Sequence, residues 1–242
     1  MHGSDCSRVT YLQFHLVFLL PPLLVLGWLT RAYLTRRRLA LMALLGVVAI
    51  VYTFPWDSLL IARGVWGYPP GRVLATIGVI PAEEVAFFVL QPLLVLLWTV
   101  WLLRDRPVPP VDRGSRAARA AGAALGIGVA LLGLWLLRVP EGTYLGLMLA
   151  WAGPVLALQW GYGGPALLRL ARPWLLGVGV PALYLCLADR FAIASGIWHF
   201  DDALLTGWHV GGLPFEEGLF FFVTSAFVVQ GFLLGLARTA RT

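Results

Sequence analysis

Seven stretches of this chain are long and apolar enough to cross a lipid bilayer as helices. A spanning helix needs about 20 mostly apolar residues. The composition agrees, because 60% of the residues are hydrophobic and only 12% are charged, a charged fraction well below that of soluble domains. The sequence therefore predicts an all-α integral membrane protein with about seven transmembrane helices. The windows lie at residues 11–29, 39–56, 80–103, 117–137, 143–161, 173–189 and 214–237.

The positions of the arginines predict how the chain is oriented. Thirteen of its 18 basic residues fall on one side of a chain that crosses seven times, and arginine near short loops stays in the cytoplasm. We therefore expect a multi-pass protein of the cell membrane with its N-terminus outside and its C-terminus in the cytoplasm. The net charge of +6 then reflects topology and contact with lipid headgroups rather than nucleic-acid binding. The thirteen are Arg31, Arg36, Arg37, Arg38, Arg104, Arg106, Arg113, Arg116, Arg119, Arg169, Arg172, Arg238 and Arg241.

Several residues recur in order at an offset of 132 or 133, which indicates an internal repeat. The repeat divides the chain into two three-helix units, at residues 1–103 and 141–242. A linker at residues 104–140 contains one additional helix, which returns the second unit to the orientation of the first. Parallel repeats imply a pseudo-two-fold axis along the membrane normal, so we expect the two units to share a central cavity. The recurring residues are Tyr11, Asp57, Gly64, Trp66, Pro81, Glu83, Glu84, Phe87 and Phe88 in the first unit and Tyr144, Asp189, Gly196, Trp198, Pro214, Glu216, Glu217, Phe220 and Phe221 in the second.

Two pairs of adjacent glutamates, Glu83 with Glu84 and Glu216 with Glu217, begin two of the apolar windows. One interpretation is that they follow a proline in the first helical turn and complement the positive end of the helix dipole. The other is catalytic, since ionisable groups within spans are costly and mark function by default. Adjacent helical residues are turned by about 100°, so one carboxyl of each pair can face the cavity while its neighbour supports it. Desolvation and a second nearby carboxylate favour protonation, which makes an acid and a base from one residue type.

Asp57 and Asp189 lie at the C-terminal ends of predicted spans, where a negative charge opposes the helix dipole. Each therefore needs another reason to be there. One is an ion pair with Arg63 or Arg190, and the other is that the aspartates orient or recharge the glutamates. The candidate catalytic residues are accordingly Glu83, Glu84, Glu216, Glu217, Asp57 and Asp189.

Aromatic side chains accompany both acidic pairs. Trp66 and Trp198 are typical of the aromatic belt at a membrane interface. The phenylalanines that follow each pair of glutamates are typical of helix packing. Aromatic faces beside a buried acid also stabilise a carbocation, provided that water, which would quench the cation, is excluded. The candidate substrate-binding residues are Trp66, Trp198, Phe87, Phe88, Phe220 and Phe221.

The paired P-x-E-E-x-x-x-F-F segments, the preceding Asp and G-x-W, and the Tyr-Leu at the start of each unit resemble the lycopene cyclase domain family, here in its fused two-unit form. The resemblance covers nearly the whole chain. It implies an isomerase of carotenoid biosynthesis that converts the linear ψ end groups of lycopene to rings, foremost a lycopene β-cyclase. In that reaction an acid protonates the terminal double bond, an internal alkene attacks the tertiary cation, and a base removes a proton. One departure is that Trp198 is followed by His-Phe where Trp66 is followed by Gly-Tyr, so we expect the two units to differ in role.

No cofactor and no metal are expected, because the implied reaction involves no net oxidation and the histidines show no metal-ligand spacing. The glycines in GAALGIGVALLG lie in an apolar window and are typical of small-residue helix packing. The expected partners are a lycopene-like carotenoid and the lipid bilayer, without nucleic acid, and a homo-oligomer is compatible with this architecture. The histidines are His2, His15, His199 and His209.

Two other functions are compatible with the same residues. A cyclase for C50 carotenoids would share the proton chemistry and differ in the length of its cavity. A proton-coupled membrane transporter also combines parallel repeats with intramembrane acids. The polar residues of a transporter should continue across the membrane, whereas here they stop near one face.

Overall fold

The computed structural model describes residues 9–105, 108 and 112–237, most of which are helical. Within this part of the chain, six helical segments are long and apolar enough to cross a membrane, in agreement with the predicted all-α membrane protein. The helices are α1 (Tyr11–Phe14), α2 (Leu20–Thr30), α3 (Arg36–Ala62), α4 (Ala82–Leu102), α5 (Arg116–Leu136), α6 (Thr143–Arg169), α7 (Ala171–Ala194) and α8 (Phe215–Leu236).

Helix α6 covers the predicted window that begins at residue 143, but it is not one of the six apolar segments. It is 27 residues long, like α3. None of its 18-residue windows is apolar enough to count as a span, because glycines, prolines and polar side chains interrupt its apolar residues, as in GPVLALQWGYGG. Gly163 adds a local departure from helical geometry, with φ −175° and ψ 28°. Length and hydropathy together therefore assign six spans, and α6 is a long helix of more mixed composition.

Two prolines interrupt the first span, which comprises α1 and α2. Pro21 and Pro22 have no backbone N–H to donate, and a π-helical segment at His15–Leu19 precedes them. In this segment the Leu20 N–H donates to the His15 carbonyl, five residues back. The wider turn lets the chain continue through the prolines without ending the helix.

Helices α4 and α8 form the centre of the bundle and pack against each other and against α7. Helix α4 is the most buried of the six spans, with 56% of its apolar window buried, compared with 17% for α3. Pro81 and Pro214 precede α4 and α8 directly, a place where the missing N–H of proline costs nothing. Each central helix is therefore preceded by a proline and carries a pair of glutamates in its first turn.

Helix α5 packs closely along α6 through glycine. A Cβ atom on Gly126 would lie 2.3 Å from the backbone nitrogen of Ala157, and one on Gly133 would lie 2.4 Å from that of Ala150. The two backbones are therefore in direct contact, as in membrane helix pairs that associate through small residues. This confirms the packing role predicted for the glycines of the linker helix, although Gly128 faces away and a Cβ there would meet no atom within 4 Å.

Matching loops follow α3 and α7. Each helix is followed by a glycine in the left-handed region, Gly64 with φ +75° and Gly196 with φ +61°, a conformation that glycine adopts without strain. Each loop then forms a hairpin of two-residue strands before the next helix, which the sequence analysis did not predict. The hairpins are β2 (Thr76–Ile77) with β3 (Ile80–Pro81), and β5 (His209–Val210) with β6 (Leu213–Pro214).

The two loops also pair with each other. Strand β1 (Trp66–Gly67) runs antiparallel to β4 (His199–Phe200), with Trp66 opposite Phe200. The Asp201 N–H extends the pairing by donating to the Val65 carbonyl over 3.0 Å. The loops therefore cover the same end of the helical bundle as one layer.

Arginines occupy the other end of the bundle. Arg37 donates to the Gly235 carbonyl over 2.6 Å, and Arg38 donates to the Tyr33 carbonyl over 2.9 Å. Basic side chains thus satisfy carbonyl groups that helix C-termini leave without partners. Some residues used in the sequence analysis lie outside the described residues, namely His2, Arg106, Arg238 and Arg241.

We expect Gly126→Ala to destabilise the bundle, because the new Cβ atom would overlap the backbone of α6. Overpacking of this kind costs about 1–3 kcal/mol and should lower the melting temperature of the detergent-purified protein. Gly128→Ala is the matched control, since it lies on the same helix and its Cβ atom would be unobstructed. Equal melting temperatures for the two variants would contradict the α5–α6 contact.

Candidate active site

One carboxyl group from each acidic pair faces a shared cavity. Glu84 and Glu217 lie in the first turns of α4 and α8 and line the same cavity. Side chains from both loops form its cover, and residues of both predicted units line it. The acidic lining residues are Glu84, Glu217, Asp57 and Asp189.

Phenol hydroxyls hold both glutamates. Tyr11 in α1 donates to Glu84 Oε2 over 2.8 Å, and Tyr68 in the loop after α3 donates to the same oxygen over 2.5 Å. Tyr144 in α6 donates to Glu217 Oε1. The Tyr11–Glu84 and Tyr144–Glu217 pairs are each separated by 73 residues. Neutral donors thus satisfy carboxyl groups that burial would otherwise leave unpaired.

The Tyr68 phenol remains protonated in this environment. Burial, followed by the negative charge of Glu84, raises the pKa of Tyr68 well above its ordinary value. A phenol that keeps its proton can only donate to a carboxylate beside it, so Tyr68 acts as a hydrogen-bond donor throughout the pH range in which proteins function. It is not itself a source of catalytic protons.

Glu83 and Glu216 do not line the cavity. Glu83 Oε1 accepts the N–H of Leu74 over 2.8 Å, and Glu216 Oε1 accepts the N–H of Thr206 over 2.7 Å. Each of these carboxyl groups fastens a loop to the first turn of the helix that follows it. The division within each pair follows from the turn of about 100° between adjacent helical residues.

Asp57 in α3 and Asp189 in α7 line the cavity beside the glutamates. Their side chains are 3% and 2% exposed, and one oxygen of each has no hydrogen-bond partner among the described residues. Neither forms a salt bridge in the described part of the chain, where the pair formed is Arg104 with Asp105. The considered ion pairs of these aspartates with arginine are therefore not formed.

The four acidic side chains constrain the charge of the cavity. Desolvation and mutual repulsion make four buried negative charges in one space too costly. Among the residues that the structure describes, no arginine lines this cavity to offset them. Carboxyl groups that lie together in one cavity can exchange protons with one another. Such a cluster can both donate and accept protons.

Aromatic rings form most of the remaining wall. Trp66 lies 5.4 Å from Tyr144, and Trp198 lies 4.9 Å from Tyr11, measured between ring centroids. Both tryptophans are less than 10% exposed, so they are part of the cavity and not of an interfacial belt. The faces of aromatic rings attract cations, and the wall therefore suits a positively charged species beside the carboxyl groups. The phenylalanines of the wall are Phe14, Phe87, Phe200, Phe220 and Phe221.

A second, mainly apolar groove adjoins the cavity. It lies among α3, α4, α6 and α8 and shares Phe87 and Phe220 with the cavity wall. Phe88, one of the predicted substrate-binding residues, lines this groove and not the acidic cavity. The two spaces thus adjoin at the side chains of Phe87 and Phe220.

Comparison with known proteins identifies the family of this chain. The family model described as lycopene cyclase matches residues 8–102 and 142–233. This chain belongs to the lycopene cyclase family. A lycopene beta-cyclase from Halobacterium salinarum is 44% identical to it over 230 residues, which are 93% of this chain and 95% of that protein. A bifunctional lycopene cyclase/phytoene synthase from Arthroderma gypseum is 35% identical over 242 residues, which are 91% of this chain and 40% of that protein. No solved structure matches.

The three tyrosines that donate hydrogen bonds to the cavity glutamates were not among the predicted site residues. Tyr11 and Tyr144 stand in the repeated Thr-Tyr-Leu segments, so the repeat marked them without indicating a role. Tyr68 lies in the Gly-Tyr that follows Trp66, at the point where the two units differ. The signal available in the sequence was that Tyr11 and Tyr144 recur at the same offset, 133, as Glu84 and Glu217.

We expect Glu216→Ala to destabilise this lycopene cyclase homologue, because the Thr206 N–H loses its acceptor. A buried polar group left unsatisfied costs about 1–3 kcal/mol, which thermal unfolding of the purified protein should detect. Glu216→Gln is the matched control, since its amide oxygen can still accept the bond. Identical unfolding of the alanine and glutamine variants would show that the loop does not depend on this contact.

Proposed function

We propose that this chain is a carotenoid cyclase, an intramolecular lyase of the isomerase class that converts the linear ψ end groups of lycopene to β-type rings. The similarity to a lycopene beta-cyclase over nearly the full length of both proteins supports this assignment. The long apolar helices support a site within the membrane. An apolar carotenoid would therefore reach the site from the bilayer.

The observation that carries the proposal is the presence of two phenol-held carboxyl groups in one buried, aromatic-walled cavity. Cyclisation of a ψ end group needs a proton donor, a proton acceptor and surroundings that tolerate a carbocation. Glu84 and Glu217 can supply the first two, and the aromatic rings can supply the third. In the described part of the chain no arginine lines the cavity, so no positive charge in this wall opposes the cation.

The proposed reaction has three steps and no change of oxidation state. A carboxylic acid in the cavity protonates the terminal double bond, which leaves a tertiary cation at the adjoining carbon. An internal double bond attacks that carbon and closes a six-membered ring, so the positive charge moves into the ring. A carboxylate then removes a proton from the carbon beside the charge, and the product is an isomer of the substrate. Exclusion of water protects the cation while the ring closes.

Asp57 and Asp189 would store protons beside the reacting glutamates. Both line the cavity, and one oxygen of each is buried without a hydrogen-bond partner among the described residues. Such an oxygen can accept a proton or a hydrogen bond from a neighbouring carboxyl group. The aspartates could then return a proton to a glutamate between turnovers.

Two parallel three-helix units joined by α5 would account for the hydrogen bonds that recur at equivalent positions in the two halves of the chain. The lycopene cyclase family model matches two stretches of the chain and leaves out α5. Equivalent hydrogen bonds also recur away from the cavity, where Tyr52 donates to the Trp151 carbonyl and Tyr184 donates to the Phe18 carbonyl. With α6 as a seventh span, both loops would lie outside the cell membrane and the C-terminus in the cytoplasm, as the arginines favour.

The apolar groove beside the cavity would hold the polyene chain of the substrate. It adjoins the acidic cavity at Phe87 and Phe220, so an end group in the cavity could be continuous with a chain in the groove. Its lining is mainly apolar, and burial of apolar surface favours a hydrocarbon there. The carboxyl groups would then meet the end of the substrate and not its conjugated centre.

We expect Glu84→Gln and Glu217→Gln each nearly to abolish ring formation in a lycopene-accumulating bacterial host. An amide preserves the volume of the side chain but cannot supply or take up the catalytic proton, and acid–base groups contribute about 10²–10⁴-fold. The measurement is chromatography of the extracted pigments at matched protein levels. Glu83→Gln and Glu216→Gln are the matched controls and should retain most of the activity, because their amide oxygens still accept the loop N–H groups.

Cyclisation in deuterated water separates this reaction from simple binding or transport of a carotenoid. The acid exchanges its proton with solvent, so mass spectrometry should find one deuterium in each new ring. Unlabelled rings would contradict acid-initiated cyclisation. Full activity in both Glu84→Gln and Glu217→Gln would overturn the assignment of these residues.

We expect Ala49→Phe to lower kcat/KM, mainly through a higher KM, because the added ring would fill part of the groove that Ala49 lines. Val51→Phe is the matched control on the same helix, since Val51 is 68% exposed on the outside of the bundle. The assay uses purified protein with lycopene in detergent micelles. Equal kinetic constants for both variants would place the polyene elsewhere.

A further inference from the structure

The aromatic rings that the two loops place beside the glutamates differ by a single hydroxyl group. Tyr68 and Phe200 occupy matching positions in the loops after α3 and α7. The Tyr68 ring stacks on Tyr11 with centroids 5.9 Å apart and planes at 16°, and the Phe200 ring stacks on Tyr144 at 6.2 Å and 13°. The rings are therefore placed alike, and only Tyr68 carries an oxygen.

The pairing of β1 with β4 explains why the placement matches so closely. It carries each ring against the tryptophan of the other half. Tyr68 lies 6.5 Å from Trp198 with planes at 74°, and Phe200 lies 6.2 Å from Trp66 with planes at 64°. Exchange of tyrosine and phenylalanine at these two positions would thus change hydrogen bonding with little change in packing.

The extra hydroxyl provides Glu84 with a second donor. Tyr11 and Tyr68 both donate to Glu84 Oε2, whereas in the described part of the chain only Tyr144 donates to the side chain of Glu217. Donated hydrogen bonds stabilise a carboxylate relative to the carboxylic acid. The carboxylate form is therefore stabilised by two phenols at Glu84 and by one at Glu217.

We propose that Tyr68 is a positioning residue that assigns the roles of the two glutamates: Glu217 is the acid that protonates the end group, and Glu84 is the base that removes a proton from the ring. This inference rests on the proposed function. Glu217 loses the proton that forms the new C–H bond, and Glu84 gains the proton released when the C–H bond beside the cation breaks. Between turnovers Glu84 gives up its proton and Glu217 regains one, by exchange with solvent through the carboxyl cluster that includes Asp57 and Asp189.

Other titratable groups surround the two glutamates. None of the tyrosine hydroxyls among the described residues donates to an aspartate. Removal of a phenol oxygen from Tyr11, Tyr68 or Tyr144 therefore changes the hydrogen bonding of a glutamate directly. This makes tyrosine variants more selective than aspartate variants as a test of the two roles. The surrounding groups are Asp57 on α3, Asp189 on α7, Tyr11 on α1, His15 in the π segment, Tyr68 in its loop, Tyr144 on α6, and the neighbouring Glu83 and Glu216.

We expect Tyr68→Phe to move the acidic limb of the pH profile of kcat/KM to higher pH. That limb reports the base, which must be ionised, and the alkaline limb reports the acid, which must be protonated. Loss of one donor makes the Glu84 carboxylate less stable, so it takes up a proton at higher pH, with a shift of about one pH unit. The alkaline limb should not move. The assay uses the detergent-solubilised enzyme with lycopene, so that one pH applies to both faces.

Three further variants test the same assignment. Tyr11→Phe should move the acidic limb in the same direction as Tyr68→Phe, because it removes the other donor to Glu84. Tyr144→Phe should move the alkaline limb to higher pH, and Phe200→Tyr, which offers Glu217 a second donor, should move it to lower pH. Each variant changes a single oxygen atom. The three tyrosine variants decide the matter if Phe200→Tyr does not accumulate.

The outcomes separate this inference from the proposed function. A shift of the alkaline limb in Tyr68→Phe would reverse the two roles and overturn the inference, as would limbs that stay in place in all the tyrosine variants. A wild-type protein that forms no rings from lycopene would instead refute the proposed function. Active wild-type enzyme with the expected shifts supports both.

Discussion

A carboxyl group buried without a positive partner is stable only where neutral groups donate to it or where it holds its own proton. Most of the architecture around the cavity serves this requirement. The donors to Glu84 come from α1 and from the loop after α3, and the donor to Glu217 comes from α6. The site is therefore complete only when helices from distant parts of the sequence have packed together.

The loops contribute rigidity as well as donors. Gly64 and Gly196 end α3 and α7 and let the chain turn back over the cavity, while Glu83 and Glu216 fasten the loops to the helices that follow. Pairing of β1 with β4 then joins one loop to the other. Each pair of adjacent glutamates thus combines one residue for structure with one for the cavity, which explains why a chain would place two acids side by side at the start of an apolar helix.

The sequence allowed the helices and the acidic pairs to be predicted, because both produce local patterns. Apolar windows of spanning length are visible in any single stretch, and the repeat pointed to Glu84 and Glu217 together. The tyrosine donors could not be assigned in this way, since a hydrogen bond between residues 73 positions apart depends on tertiary packing. The short strands were missed because two residues carry no periodicity.

The ion pair of Asp57 and the direction of the phenylalanine side chains could not be predicted without knowing how the helices pack. An ion pair between Asp57 and Arg63 was compatible with their separation along the chain, yet Asp57 points inward and Arg63 is exposed. Phe87 and Phe88 are adjacent in the sequence but both are buried, and Phe88 reaches only the groove. Helical rotation by about 100° per residue separates such neighbours, and which of them faces a cavity is set by the partners of the helix.

A cavity built jointly by two halves of the chain also has a kinetic consequence. Glu84 and Glu217 face the same space, so together they serve one end group at a time. Lycopene has two identical ends, and under the proposed function the second can react only after the molecule has withdrawn and returned in the opposite direction. The enzyme would then be distributive, and a carotenoid with one ring would mix with the pool in the bilayer before it acquired the other. The ratio of one-ring to two-ring products would depend on how much uncyclised lycopene competes for the same cavity.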